Sequence, residues 1–502
     1  MKFGLFLLFF AVFFSSFAQS NHTHDFVITD FQAVGDGKTV CTAAIQKAID
    51  AAALVGGKVI IPAGTFISAT LFLKSNMELE LRAGAVLKAS PDLTLYPKQT
   101  VGHNKDRQPY HFIIAYEAKN LKISGMGTID GNGYAFWKKE RKSEWDFYVE
   151  NEERISPMFE FRNCENLSLN DIAISNSPGW TVHLQLCEQV RISGIKIENE
   201  LYGPNTDGLD INACKDVIIS DCNIRAGDDA IVLKTTKDAN RACENITVSN
   251  CILETHCAAM KLGTESHFDF KNILFNNCIV KKATRIIDLT ICDGGHVENV
   301  RFNHIVGETN AGWPLGRHIV VNLNKRDSTS RMGSIKNLSI SDYSCRTDCR
   351  ILIGAMKGLD MSDIRLENIR VNYPMMEGHL PLARNIEGDR NYGKGLPEMR
   401  SASAAMVVEN VKNLSVSDFQ ITWPIYPVPE DWKLLKSPLR FYNREYYEGK
   451  EAKIKSGEIR PKFHAFWGKN IQKGKLDMRL TSASEVDVKK VVLVDSDVIL
   501  VE

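Results

Sequence analysis

Net charge is the first thing this 502-residue chain lacks: 61 lysines and arginines balance 61 aspartates and glutamates. A neutral chain offers no electrostatic footprint for nucleic acid, so no nucleic-acid partner is expected. Long apolar runs are also missing. The one hydrophobic stretch, Phe3 to Phe14, falls short of the ~18 residues that span a bilayer, and no later stretch reaches that length. No membrane span is therefore expected. That stretch follows Met1-Lys2 and precedes Ser16-Phe17-Ala18, giving the charged start, short apolar core and small-residue cleavage site of an export signal. Cleavage after Ala18 is expected, which places the mature protein in the periplasm or outside the cell. Helical periodicity is scarce, with amphipathic patterns only near Ala43–Ala53 and within Phe136–Glu153. None of the twelve cysteines falls into a zinc-type spacing, so no metal is expected.

What the chain has instead is a repeat: Asn or Asp, an aliphatic residue, any residue, another aliphatic, then often Ser or Asn. The first aliphatic position falls at Leu121, Leu167, Val190, Val217, Ile246, Ile273, Val300, Leu338, Ile364 and Leu414. The separations are 46, 23, 27, 29, 27, 27, 38, 26 and 50 residues, mostly one coil with two near double that. Period-two alternation marks half-buried strands. Strand pieces recurring at one repeat length mean stacked coils that bury apolar faces against their neighbours. These gaps are too short for propeller blades of ~40–50 residues. An all-β, single-stranded right-handed parallel β-helix with an N-terminal cap helix is the expected fold, and a monomer the expected state.

The cysteines fall into this register. Cys164, Cys187, Cys214 and Cys243 each precede the first aliphatic by three residues, and Cys222, Cys251 and Cys278 each follow it by five. Equivalent residues on adjacent coils sit about 4.8 Å apart, so two stacked columns are expected. Buried thiols filling the core are the favoured reading, with inter-coil disulfides the alternative. Cys345 and Cys349 are the pair best placed by sequence to be bonded. The asparagines that open each repeat should form a column of their own, with side-chain amides bonded from coil to coil.

Against this background the segment around Asp207 stands out. Asn205-Thr206-Asp207-Gly208-Leu209-Asp210 is followed, 21 residues after Asp207, by Gly227-Asp228-Asp229-Ala230. That spacing is about one coil, which sets the two acidic groups side by side on one face. Clustered carboxylates repel, so burial and like charge raise at least one pKa. One protonated acid beside one ionised base is what glycoside hydrolysis needs. Turn capping and calcium binding are the plainer roles for single aspartates. The paired motifs at one-coil spacing favour catalysis.

These residues resemble glycoside hydrolase family 28, the polygalacturonases and their relatives, over about Asp30 to Trp423. The likeness includes Phe31-Gln32-Ala33-Val34-Gly35-Asp36-Gly37, Gly127-Thr128-Ile129-Asp130-Gly131-Asn132-Gly133, Asn176-Ser177-Pro178-Gly179-Trp180 with His183, and the two acidic motifs. The resemblance implies inverting hydrolysis of an α-linked sugar in a pectin-like or other acidic polysaccharide, without metal or cofactor. It makes Asp228 the general acid, with Asp207 and Asp229 positioning and deprotonating the attacking water. Inversion asks for carboxyls roughly 6.5–9.5 Å apart.

Two family motifs are damaged. Where the family carries Gly-His-Gly, this chain has Ala258 at the His position, and His256 two residues earlier either aims into the cleft or is a turn residue. Where the family's Arg-Ile-Lys should grip the galacturonate carboxylate, Asp288 and Thr290 align with the Arg and Lys. Arg285 reaches that place only if the register slips. Lys234 and Lys261 stand inside aliphatic strand runs, which is costly unless they face a cleft or pair. They either grip an anionic substrate, or form structural pairs such as Lys261 with Asp210. Candidate substrate-binding residues are thus Asn205, Asp210, Lys234, His256, Lys261 and Arg285.

The expected organisation is an export signal over 1–18, a catalytic β-helix over 19–423 and a C-terminal extension over 424–502 that closes the last coils. Pro424–Gln472 reads as irregular and Val486–Val501 as strand-like. The insertion Tyr134–Ile155, with Trp137 and Trp145, reads as a loop or helix walling the cleft. Three functions compete: a polysaccharide hydrolase, a lyase on the same fold, and a non-catalytic carbohydrate-binding β-helix.

Overall fold

A computed structural model describes residues 24–100, 107–141, 147–309, 317–375, 396, 401–432 and 451–501. The export signal expected over 1–18 and Trp145 lie outside them. Parallel strands stack coil upon coil from Asp25 to Val501, forming a right-handed parallel β-helix. Helix α1 (Thr42–Val55) buries Ile45, Ala48, Ile49 and Ala52 against the first coils and ends on Gly56 in the left-handed conformation. Gly56 is suited to that place because it carries no Cβ to clash. The apolar patch that an open solenoid end would expose is thereby covered.

The repeat signal becomes columns. Asn120 Nδ2 donates to Asn76 Oδ1 (2.7 Å), Asn166 to Asn120 (2.9 Å), Asn272 to Asn245 (3.0 Å) and Asn299 to Asn272 (3.1 Å). These asparagines hold left-handed backbone angles near φ 55°, a region asparagine tolerates better than most residues. All twelve cysteines carry reduced thiols, and the two in-register columns are buried in the core. Cys345 and Cys349 are not bonded either. Cys345 lies in a strand with its side chain in the core. The Cys349 thiol, beyond the turn, takes a contact from Thr309 Oγ1 at 3.7 Å.

The insertion is not a helix among its described residues. A short 3-10 turn, Gly133–Phe136, leads into Trp137–Lys138, which pairs antiparallel with Val149–Glu150. Trp137 is buried, donates from Nε1 to the Pro178 carbonyl (2.8 Å) and stacks on Tyr148. It packs the insertion onto the helix. Within the stretch read as irregular, His464–Gln472 is a strand paired in register with Ala404 to Lys412, and Val491–Val494 stacks on it in turn.

One sheet carries the chemistry. Its strands are β1 (Phe159–Arg162), β2 (Val182–Gln185), β3 (Leu209–Asn212), β4 (Ile231–Thr235), β5 (Ala258–Ser266), β6 (Arg285–Ile291) and β7 (Arg317–Leu323). Register places Glu160, His183, Asp210, Val232, Lys261, Asp288 and Val320 in one row across them. Their sequence neighbours, among them Leu209, Ile231, Met260 and Ile287, belong to the hydrophobic core. By strand alternation the row faces outward.

Candidate active site

Asp207 stands two residues before β3, and Asp228 and Asp229 stand just before β4, in the turns that feed the sheet. A backbone bond from Gly208 N to the Asp229 carbonyl (2.9 Å) joins the two acidic turns, and one from Thr181 N to the Asp207 carbonyl (3.0 Å) ties the first of them to the coil before. The three aspartates are thereby presented at one edge of the outward face, as their one-coil spacing predicted. Gly208 has no room for a side chain, since a Cβ there would lie 2.4 Å from the Ala230 carbonyl oxygen. This close approach is what draws the two acidic turns together.

The three carboxylates are electrostatically unequal. Asp229 is buried, which works against its charge, yet Lys261, Lys234 and Arg285 together hold its carboxyl below the usual range. Lys261 Nζ sits 2.6 Å from Asp229 Oδ2, and Ala258 N donates to Oδ1 at 3.2 Å. Asp228 is half-buried. Desolvation and the neighbouring Asp229 push its carboxyl up, against the pull of Lys261. Burial, then Asp210, Asp228 and Asp229, drive Asp207 well above the ordinary range. Its Oδ1 is buried and accepts no hydrogen bond among the described residues. The cluster therefore sets one carboxyl held low beside two that are pushed up, an asymmetry of the kind acid–base catalysis uses.

The sequence-predicted binding residues divide. Lys261 pairs with Asp229 and not with Asp210. Register does stack Asp210, Val232 and Lys261 in line, but the side chain reaches along the row to the nearer carboxylate. Asp210 instead lies 3.6 Å from Lys234, and burial lifts its carboxyl to about 8 despite that ammonium. Lys234 also meets Glu265 (3.2 Å) and lies over the Trp180 ring at 4.9 Å. Glu265 is pulled down to about 2, the two lysines outweighing its desolvation. Arg285 does reach the cluster. Its Nη2 lies 4.0 Å from Asp229 Oδ1 and donates to Cys257 Sγ (2.7 Å), while its Nε pairs with Asp288 (2.6 Å).

Asn205 and His256 stand apart. Asn205 Oδ1 accepts from Arg154 Nη2 (3.1 Å), a buried arginine that also bonds the Pro178 and Pro204 carbonyls and so shapes the loop before Asp207. His256 packs edge-on to Tyr202 and Phe147, and burial lowers its imidazole to about 4, so it is neutral. Three further groups escaped sequence reasoning. Glu160 sits between Phe159 and Phe161, a charge in an apolar strand run like Lys234 and Lys261, and the same signal could have found it. It binds His183 Nδ1 (2.6 Å) and Arg107 (2.5 Å). Cys257 and Glu265 fall where the repeat is irregular and gave no signal.

Oxygens of Asp228 and Asp229 lie within 4.8 Å of one another, closer than the roughly 6.5–9.5 Å expected between an inverting pair, because the two residues are adjacent in one turn. With the Cys257 sulfur, within the same distance, they form a set with the donors for a cation. The surroundings oppose one: burial keeps the Cys257 thiol protonated, and Lys261 and Arg285 already supply positive charge.

Comparison with known proteins fits this geometry. The model of glycosyl hydrolases family 28 matches residues 59–377. A probable polygalacturonase of Vitis vinifera is 26% identical over 324 residues, covering 60% of this chain and 65% of its own. One of Arabidopsis thaliana is 30% identical over 313 residues, covering 61% and 63%. The chain thus spans just under two thirds of the length of these relatives. Among solved structures, a family 28 exopolygalacturonase of Yersinia enterocolitica aligns with a TM-score of 0.59 at 18% identity, over 80% of this chain and 77% of that one. The polygalacturonase of Erwinia carotovora aligns at 0.55 and 19%, over 70% and 93%. At these identities the solved structures speak to the fold.

Proposed function

The chain belongs to glycosyl hydrolases family 28, and on that premise we propose that it is an exported enzyme hydrolysing α-linked residues of a pectin-like acidic polysaccharide, galacturonan or rhamnogalacturonan. The single observation that carries this reading is the opposite electrostatic setting of adjacent aspartates: Asp228 pushed up, Asp229 held down by Lys261. In this scheme Asp228 protonates the leaving glycosidic oxygen. Asp229 takes the proton from the attacking water, and Asp207 turns its unpartnered oxygen toward that water and holds it. The bond to the leaving sugar breaks as the water oxygen bonds the anomeric carbon, and both protons are accounted for.

A uronate carboxylate entering the site shares Lys234 with Glu265, whose partly exposed side chain marks the open side of that lysine. This replaces the family's Arg-Ile-Lys grip, whose places Asp288 and Thr290 fill with a mutual hydrogen bond (2.7 Å). A second reading, a non-catalytic glycan-binding β-helix, draws on that loss and on Ala258. A lyase would need a free Lys or Arg as base, whereas Lys261 is engaged with Asp229 and Arg285 with Asp288.

Incubation with polygalacturonan, rhamnogalacturonan and sulfated glycans decides between them, with absorbance at 235 nm and product anomers followed by NMR. Hydrolysis gives saturated products with inverted anomeric configuration. Unsaturated products mean a lyase, retained configuration refutes the acid–base assignment, and tight binding without turnover favours the binding module.

A further inference from the structure

The row of outward-facing residues changes character at both ends of the aspartate cluster. Functional groups spread along the solenoid axis, from Asp207 and Asp210 through Lys261 to Asp288, so a glycan threading the site would run across successive coils. On the early side it meets a clasp. Arg107 donates to Glu160 (2.5 Å) and to Gln185 Oε1 (2.9 Å), and lies 3.4 Å from Asp238, which stands in the loop after β4. Gln185 Nε2 also donates to Asp238, at 3.0 Å. One arginine and one distant loop thereby roof the outward positions of β1 and β2, where Glu160 and His183 are 1% and 0% exposed.

On the late side the same row turns apolar. Asp288 is followed in register by Val320, Leu352, Val407 and Trp467. Leu396, Ala402 and Ala404 pack over these side chains in a second buried cluster separate from the main core. An outward sheet face covered by apolar packing is not available to a sugar chain. Between clasp and plug lie the coils of Asp210, Val232, Lys261 and Asp288, a reach of about 14 Å at the usual spacing between parallel strands. Even there the row is almost wholly buried; partial exposure is found at Asp228, Cys257, Glu265 and His267.

Resting on the hydrolase reading, we infer that this site is a blind pocket that takes the end of a glycan chain, so the enzyme removes short units from one terminus and does not cut internally. A groove for internal cutting must be open at both ends; this one is stopped by the Arg107–Asp238 clasp at one end and the Leu396–Trp467 packing at the other.

Time courses on polygalacturonan and rhamnogalacturonan, read by chromatography and viscometry, test it. The first product should be a single species of one or two sugars, with viscosity falling no faster than bonds are broken. A ladder of intermediate oligomers with early collapse of viscosity overturns the pocket while leaving the hydrolase reading intact. Binding stoichiometry supplies a readout free of turnover. Asp228→Asn protein should bind oligogalacturonides of increasing length at one molecule per chain, and stoichiometry that grows with length overturns the inference. Absence of turnover on every glycan counts against the hydrolase reading alone, and stoichiometry still judges the pocket.

Discussion

Replacing Lys261 by methionine removes the cation that does most to keep Asp229 ionised. The pair is 2.6 Å apart, with side chains 9% and 2% exposed. At an effective dielectric near 20 that separation corresponds to about 6 kcal/mol of attraction. Desolvation of both groups takes back much of it, so the expected loss of stability from leaving Asp229 buried without this partner is about 3–5 kcal/mol. The cation also depresses the Asp229 carboxyl, against the desolvation that would raise it. Asp229 contributes stability that is present above its unfolded value and lost as pH falls through its lower folded value; the variant forfeits that contribution.

The kinetic signature is sharper than the thermal one. In a profile of kcat/KM against pH, the acid limb reports the base and the alkaline limb reports the acid. Lys261→Met should move the acid limb to higher pH, since Lys261 is the foremost cation holding Asp229 down. The alkaline limb should move less, because burial and Asp229, not Lys261, dominate Asp228. Lys261→Arg should restore much of the wild-type profile. An acid limb unmoved in the methionine variant, with folding intact, would refute Asp229 as the base.

Two other perturbations probe the cluster. Because burial raises Asp210 to about 8, the wild-type protein loses stability as pH rises from the ordinary carboxyl range toward 8. Asp210→Asn should therefore raise Tm by a few degrees at pH 8 and leave it unchanged near pH 4; an equal gain at both would contradict the assignment. His256 is neutral and packed against Tyr202 and Phe147. His256→Phe should keep kcat within about threefold of wild type, far from the ~10²–10⁴-fold loss that removing an acid–base group carries. A larger fall with a displaced pH limb would place this histidine in the chemistry.

The solenoid was legible because in-register stacking writes the same residue type at the same offset. The asparagine or other polar residue that opens each repeat, and in four coils a cysteine three residues before the first aliphatic position, announce the coils, and the structure lines them up as columns. The aspartate cluster was legible for the same reason, since 21 residues is one coil. Pairing within the cluster was not. Register put Lys261 in line with Asp210, but a lysine side chain reaches several ångströms along the row, and Asp229 is the nearer anion. Arg285 does not take the grip position, since the register holds without a slip and leaves that place to Asp288, but from the start of its strand it reaches Asp229, a contact the repeat did not announce. The coverings over the sheet were also hidden. A repeat reports contacts between neighbouring coils, whereas Arg107, Asp238 and Leu396 come from distant segments and leave no periodic trace. Among the described residues of Phe136–Glu153 the expected helix does not form, because Trp137–Lys138 pairs with Val149–Glu150 as an antiparallel ribbon and Trp137 stacks on Tyr148.

Reducing-sugar release by Asp228→Asn protein tests the central claim most directly. Asn keeps the shape of the side chain but has no carboxyl proton to give the leaving oxygen, and it leaves no group beside Asp229 that could ionise. The account predicts a fall in kcat of about 10²–10⁴-fold, with Tm equal to or above that of wild type. Wild-type turnover in the variant, on a glycan that the native protein cleaves, would contradict it.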